Sequence, residues 1–247
     1  MELEERAADP LAGGLMQGYQ CGQLWGAALA AGAQAYRTYG EGPQVEARAM
    51  MAAQRIVESF CTQNKNIDCR AITGIDLSAP KPWMIIRFII KGAPTGSCFG
   101  MAARYAKAAF DEINAAFSEE TIEAPIAPVS CSAMVAQKMG LSDMQTVMAA
   151  GLAGGIGLSG GACGTLGAAI WITGMNSIKK GAGQIGLKAP ATLDMIEKFV
   201  QCTDHKFECS KIVGRKFENI NDHAGYLHEG DCSKIIRALA AQGRMLI

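Results

Sequence analysis

Apolar residues recur along this chain at helical spacing, and most of its segments predict helices. Val45 to Phe60 carries an apolar stripe with mixed charge on its other face, and Ala191 to Val200 repeats that pattern. A long helix is predicted from Phe99 to Phe117, with Met101, Tyr105, Ala108 and Phe110 among its apolar positions. Further helices are expected to start at Cys131, after an N-cap at Ser142, and at Cys232. Pro80 to Lys91, PWMIIRFIIK at its core, fits a strand or a buried helix equally well. Leu11 to Tyr39 reads as one Ala/Gly-rich helical segment. The prediction is an all-α protein of two pseudo-repeated helical bundles packed together.

Two stretches break the amphipathic pattern. Pro10 to Tyr36 and Met144 to Ile178 hold no Asp, Glu, Lys, Arg or His. The second contains GLAGGIGLSGGACGTLGAAIWITG, nine glycines around Cys163. Glycine costs roughly 1 kcal/mol relative to alanine inside a helix, so such a run needs close packing or a bound group to justify it. Gly155 to Gly160 spells GxGxxG, but the segment before it is a capped helix rather than a strand. The next acidic residue is Asp194, too distant for a dinucleotide site. Dilution by Gly, Ser, Thr, Gln and Asn, without basic flanks or an aromatic belt, argues against a membrane span.

Composition narrows the function. The 247 residues balance 23 basic against 23 acidic side chains, so nothing points to nucleic acid or an anionic surface. The start, MELEERAADP, is the opposite of a secretory signal, which makes a cytoplasmic location the expectation. Nine cysteines in that setting favour metal or redox chemistry over a disulfide framework. There are three histidines, too few for a His-based site, and His223 and His228 read as solvated loop residues. The acidic, proline-bearing stretch Glu119 to Pro128 is the natural linker between 1–120 and 121–247.

Comparing the halves gives the most specific signal. Ile67-Asp68-Cys69-Arg70-Ala71-Ile72-Thr73-Gly74 matches Phe207-Glu208-Cys209-Ser210-Lys211-Ile212-Val213-Gly214. Cys21-Gly22 and Cys163-Gly164 each open a Gly/Ala helix. Cys61 matches Cys202, and Cys98 matches Cys232. Cys131 alone has no partner, because its counterpart would fall before residue 1. Buried cysteine often acts as a small hydrophobe. Packing does not call for cysteine at matched places twice, when Ala or Val would serve. For Cys61 and Cys202 the packing and ligand readings stand level.

The second half resembles a redox-active protein family named for a lone Cys, a GCAxxG-type box and two further Cys. The residues are Cys131, the box around Gly161-Ala162-Cys163-Gly164, Cys209 in ECSKIVG and Cys232 in GDCSKII. The first half is similar to a degenerate copy, with Cys21, Cys69 and Cys98 but no leading Cys. Thr165 and Ala168 depart from the family's usual box. The resemblance implies a helical domain, and a related domain in split-Soret cytochromes carries an iron–sulfur centre.

What that implies for the site is one iron–sulfur cluster, 2Fe–2S or 4Fe–4S, on Cys131, Cys163, Cys209 and Cys232. A second, on Cys21, Cys69 and Cys98, would need a fourth ligand, with Cys61 the candidate. Gly161 and Gly164 would let backbone N–H groups approach the sulfurs. Structural zinc would favour C-x2-4-C knuckles, which this sequence lacks. A metal-free dithiol/disulfide oxidoreductase or sensor stays open, using thiols at helix N-termini. The expected partner is a redox protein, with no nucleic acid, no membrane span, and homo- or hetero-oligomers open.

Overall fold

The computed structural model describes residues 2–78, 83, 98–118, 126–182, 186 and 189–245. Pro80 to Lys91, apart from Trp83, and most of the Glu119–Pro128 linker lie outside the described residues. Among those described the fold is all-α, and the only β-type pairings are two isolated bridges, Gln20 with Asp68 and Ala162 with Glu208.

The first half runs α1 (Glu2–Arg6), α2 (Gly22–Tyr39), α3 (Pro43–Asn64), α4 (Cys69–Thr73) and α5 (Cys98–Ser118). The second runs α6 (Cys131–Lys138), α7 (Asp143–Ala150), α8 (Gly164–Lys179), α9 (Pro190–Cys202), α10 (Cys209–Val213), α11 (Ile220–His228) and α12 (Ser233–Met245). Start signals act where the sequence places them. Pro43 and Pro190 occupy first helical positions, where the missing N–H costs nothing. Ser142 and Gln145 form a capping box at α7, and Ser130 caps α6 by accepting the Ala133 N–H.

The helices α2, α3 and α5 pack together, and so do α8, α9 and α12. Each half lends a helix to the other: α7 lies on α2, while α1 lies on α8. The Gln145 side chain donates to Glu4 Oε1 at 2.8 Å, and the Trp171 indole donates to the Glu4 carbonyl at 2.9 Å. Matched positions also meet each other: Trp25 rests against Gly167, its counterpart in the second half, where any Cβ would collide with the indole. The missing side chain at Gly167 makes room for the indole. Tyr19 and Phe207 stack at 5.2 Å nearby.

The glycine run is not continuous helix. After Ala150 the chain turns over, and residues 154–158 take positive φ, including Ile156 (65°) and Leu158 (60°). Residues 13–16 do the same in the first half, including Leu15 (59°) and Met16 (57°). Each is a left-handed turn, disfavoured by roughly 1–2 kcal/mol per non-glycine residue. Burial offsets that cost, since Leu15 and Ile156 are wholly enclosed. The predicted helix over Leu11–Tyr39 therefore begins only at Gly22, because the left-handed turn precedes it.

Glu46 lies near the start of α3 and is 9 % exposed. Burial raises its carboxyl from the ordinary value of 4.5 to about 7, partly opposed by the Ser130 N–H that it accepts. The unfolded chain releases this proton near pH 4.5, whereas the fold retains it to about 7. Stability is thus full below pH 4.5 and falls as pH rises through that window, by at most about 1.4 kcal/mol per pH unit. Denaturant unfolding from pH 4.5 to 8 should show this loss in the metal-free protein and a flatter profile in Glu46→Gln. Identical profiles would contradict it.

Candidate functional site

Each half places its cysteines by the same backbone device. The Cys21 N–H donates to the Ile67 carbonyl at 2.8 Å, and the Cys69 N–H to the Tyr19 carbonyl at 2.7 Å. In the second half the Cys163 N–H donates to Phe207 O at 2.8 Å, and the Cys209 N–H to Gly161 O at 2.6 Å. Two reciprocal bonds of this kind form an antiparallel bridge and hold the paired cysteines beside one another. Cys21 and Cys163 are the N-caps of α2 and α8, while Cys69 and Cys209 are the first residues of α4 and α10.

The remaining family positions also stand at helix starts. Cys98 and Cys131 open α5 and α6, and Cys232, at φ 59°, immediately precedes α12. Helix N-termini present unpaired N–H groups and a positive dipole end, both favourable to thiolate. Cys61 and Cys202 occupy the last turns of α3 and α9, where carbonyls rather than N–H groups are exposed. Cys61 is exposed and Cys202 half-buried. All nine cysteines are free.

In the second half Cys131, Cys163, Cys209 and Cys232 lie within electrostatic reach of one another. Burial, then the neighbouring thiols Cys163, Cys131 and Cys232, push the Cys209 thiol far up. Burial, then Cys131 and Cys163, do the same to Cys232. Cys163 rises to about 11, through burial and then Cys131, against N–H groups of Leu166 and Thr165 and the Thr165 hydroxyl. Cys131 goes the other way, to about 7. Burial raises it, but the His223 charge and hydrogen bonds from His223, Thr165 and the Gly154 N–H together outweigh that.

His223 corrects the expectation of a solvated histidine. It is 1 % exposed, its Nδ1 lies 2.9 Å from the Val129 carbonyl, and its ring meets Phe217 edge-on at 4.8 Å. A lone histidine in a loop-like sequence carries no signal of this, because its partners Val129 and Cys131 lie on a different element. His228 is exposed at the surface, with Nε2 at 2.8 Å from the Ile126 carbonyl. Gly161 and Gly164 serve packing: a Cβ at the first would strike the Gln20 amide, and at the second the Leu152 carbonyl. N–H groups of Gly154, Thr165 and Leu166 reach the sulfurs of Cys131 and Cys163.

In the first half Cys21, Cys69 and Cys98 form the matching group. Burial, then Cys21 and Cys98, raises Cys69 to about 11. Burial also raises Cys21, with the Gln23 N–H opposing and Cys98 adding to it. Among the described residues no three Cys, His, Asp or Glu side chains stand close enough to hold a single metal ion. No helix among them is long and apolar enough to cross a membrane.

Each half gathers buried and half-buried thiols at helix starts, the arrangement of a cysteine-centred protein. The chain belongs to the family described as "Putative redox-active protein (C_GCAxxG_C_C)", whose model matches residues 2–119 and again 129–243. No curated protein and no solved structure matches the chain.

The closeness of Gly164 to the Leu152 carbonyl gives a direct test of how the site is held. Gly164→Ala should lower stability by roughly 1–3 kcal/mol or more, because overpacking displaces backbone. Gly26→Ala, with nothing within 4 Å of its added Cβ, should be neutral or stabilising by up to about 1 kcal/mol. Equal unfolding midpoints for the two variants would remove the steric account.

Proposed function

We propose that the second half holds an iron–sulfur cluster on Cys131, Cys163, Cys209 and Cys232, and that the protein carries electrons for a redox partner protein. The observation that carries this is the gathering of four free thiols from four separate elements, three of them buried and Cys232 half-buried. A dithiol couple needs only two, whereas a cluster is typically held by four cysteines. The donor set fits: soft sulfur ligands and sulfur-directed N–H groups. Sulfurs around a cluster also stand farther apart than around one ion, because irons and sulfides lie between them. That accords with thiols which sense each other without closing on a single ion.

When bound, the cluster would supply one-electron chemistry. The chain's own part is to bind and tune it. The Gly154 N–H and the Thr165 hydroxyl would donate to Cys131, and Thr165 and Leu166 N–H groups to Cys163. Such hydrogen bonds stabilise the more reduced state and raise the potential. The uncharged run from Met144 to Ile178 would keep water and counter-charge away. A cytoplasmic location and the division into units 1–120 and 121–247 belong to the same reading.

One observation favours a second reading. The imidazole of His223 hydrogen-bonds Cys131, a pairing that activates a thiolate for dithiol/disulfide exchange in a metal-free protein.

Iron and sulfide analysis separates the two. Anaerobically prepared protein should contain both and absorb in the visible. Cys163→Ser and Cys209→Ser should each lose most of the second-half cluster, and Cys202→Ser should retain it. Full iron, sulfide and absorbance in both serine variants would move the thiol-exchange reading ahead.

A further inference from the structure

We propose that Gln20, in the first half, is a positioning residue of the second-half centre. Its side-chain amide clamps the left-handed turn at 154–158 to the Gly161–Gly164 box, and so holds backbone N–H groups on the sulfurs of Cys131 and Cys163. The site is thereby assembled across the two halves. This rests on the cluster reading of the second half and adds to it a residue outside the four cysteines.

Gln20 is wholly buried, and both ends of its amide are used on the other half. Nε2 donates to the Gly155 carbonyl at 2.8 Å, and Oε1 accepts the Ala162 N–H at 2.7 Å. The first contact lies in the left-handed turn, and the second lies immediately before Cys163. One planar amide therefore ties two separate segments of backbone together. Its own main chain is fixed as well. Gln20 pairs with Asp68 in the first-half bridge, and its carbonyl accepts the Trp25 indole N–H at 3.2 Å. The bulk that would block this seat is missing. A Cβ at Gly161 would lie 1.9 Å from Gln20 Nε2, and one at Gly155 would lie 2.5 Å from the Gly161 carbonyl oxygen.

What the clamp holds is the set of donors at the thiols. The Gly154 N–H reaches Cys131, and the Thr165 and Leu166 N–H groups reach Cys163. The turn is also tied within its own run. The Gly160 N–H donates to the Gly154 carbonyl at 2.9 Å, and the Ser159 hydroxyl to the Gly155 carbonyl. Gln20 adds the tie from the first half. Apolar contact does not orient an N–H group, whereas a buried amide that must keep both of its partners does. The contact has no mate. Ala162 is the residue matched to Gln20 and ends in a methyl group, so the first half receives no return support. The clamp serves the half that keeps all four family cysteines.

Gln20→Met keeps an unbranched side chain of similar length while removing both hydrogen bonds. Gly161→Ala attacks the same seat from the other side, and serves if the first variant folds poorly. In the metal-free full chain, amide hydrogen exchange at Gly154 and Ala162 should rise about tenfold in each, as for a lost buried hydrogen bond, with α9 and α12 unchanged. Combining Gln20→Ala with Gly161→Ala should recover stability lost by Gly161→Ala alone, since the methyl enters vacated space. Anaerobically prepared variants, each carrying Cys98→Ser so that one centre is observed, should keep iron and show a lower reduction potential than the Cys98→Ser parent. Tyr105→Phe, which loses a first-half hydrogen bond to the Ile56 carbonyl, is the control for lowered stability and should leave the potential unmoved. The proposal is overturned if exchange at Gly154 and Ala162 stays at the wild-type rate in both variants. It is equally overturned if the potential is unmoved in both, or moves as much in Tyr105→Phe. Iron-free wild-type protein would overturn the cluster reading instead, and the exchange rates would still decide whether Gln20 clamps the turn.

Discussion

Everything in this molecule's chemistry depends on a pair of backbone hydrogen bonds used twice. Cys21 N–H to Ile67 O with Cys69 N–H to Tyr19 O, and Cys163 N–H to Phe207 O with Cys209 N–H to Gly161 O, are the same exchange. Each pins the start of a long helix to the start of a one-turn helix. The thiols thereby arrive together with two sets of unpaired N–H groups, and no sheet is needed. The left-handed turns at 13–16 and 154–158 deliver the chain to those bridges. Their cost, about 1–2 kcal/mol per non-glycine residue, is met by enclosing Leu15 and Ile156.

That device also sorts the cysteines. Seven of the nine stand at or beside helix N-termini, and those seven make up the two gathered groups. Cys61 and Cys202 stand in last turns. Polarity of the helix end is a physical criterion that spacing along the chain cannot supply. It separates that matched pair from the other seven cysteines. The lending of α1 and α7 between halves adds a constraint of its own, since Glu4 and Gln145 couple the two units there.

Much of this was legible in the sequence. Helices beginning at Gly22, Gly164, Cys98 and Cys131 follow from amphipathic spacing, caps and the Cys-Gly pairs, and the family model's two matches agree with the repeat. The glycine run was legible as special but not as left-handed, because Ile156 and Leu158 carry no local signal for positive φ. The tertiary neighbours of Gly161 and Gly164, Gln20 and Leu152, carry no signal in the local sequence. His223 was hidden for the same reason. Its burial depends on the turn carrying Val129, distant in sequence, and no pattern within α11 announces it.

The central claim is that one cluster joins Cys131, Cys163, Cys209 and Cys232. Anomalous diffraction at the iron edge, from crystals of anaerobically prepared protein, tests it most directly. The account predicts strong iron density lying among those four sulfurs, with each sulfur within bonding distance of an iron. Four sulfurs without an iron peak, with two of them joined in a disulfide, would contradict it.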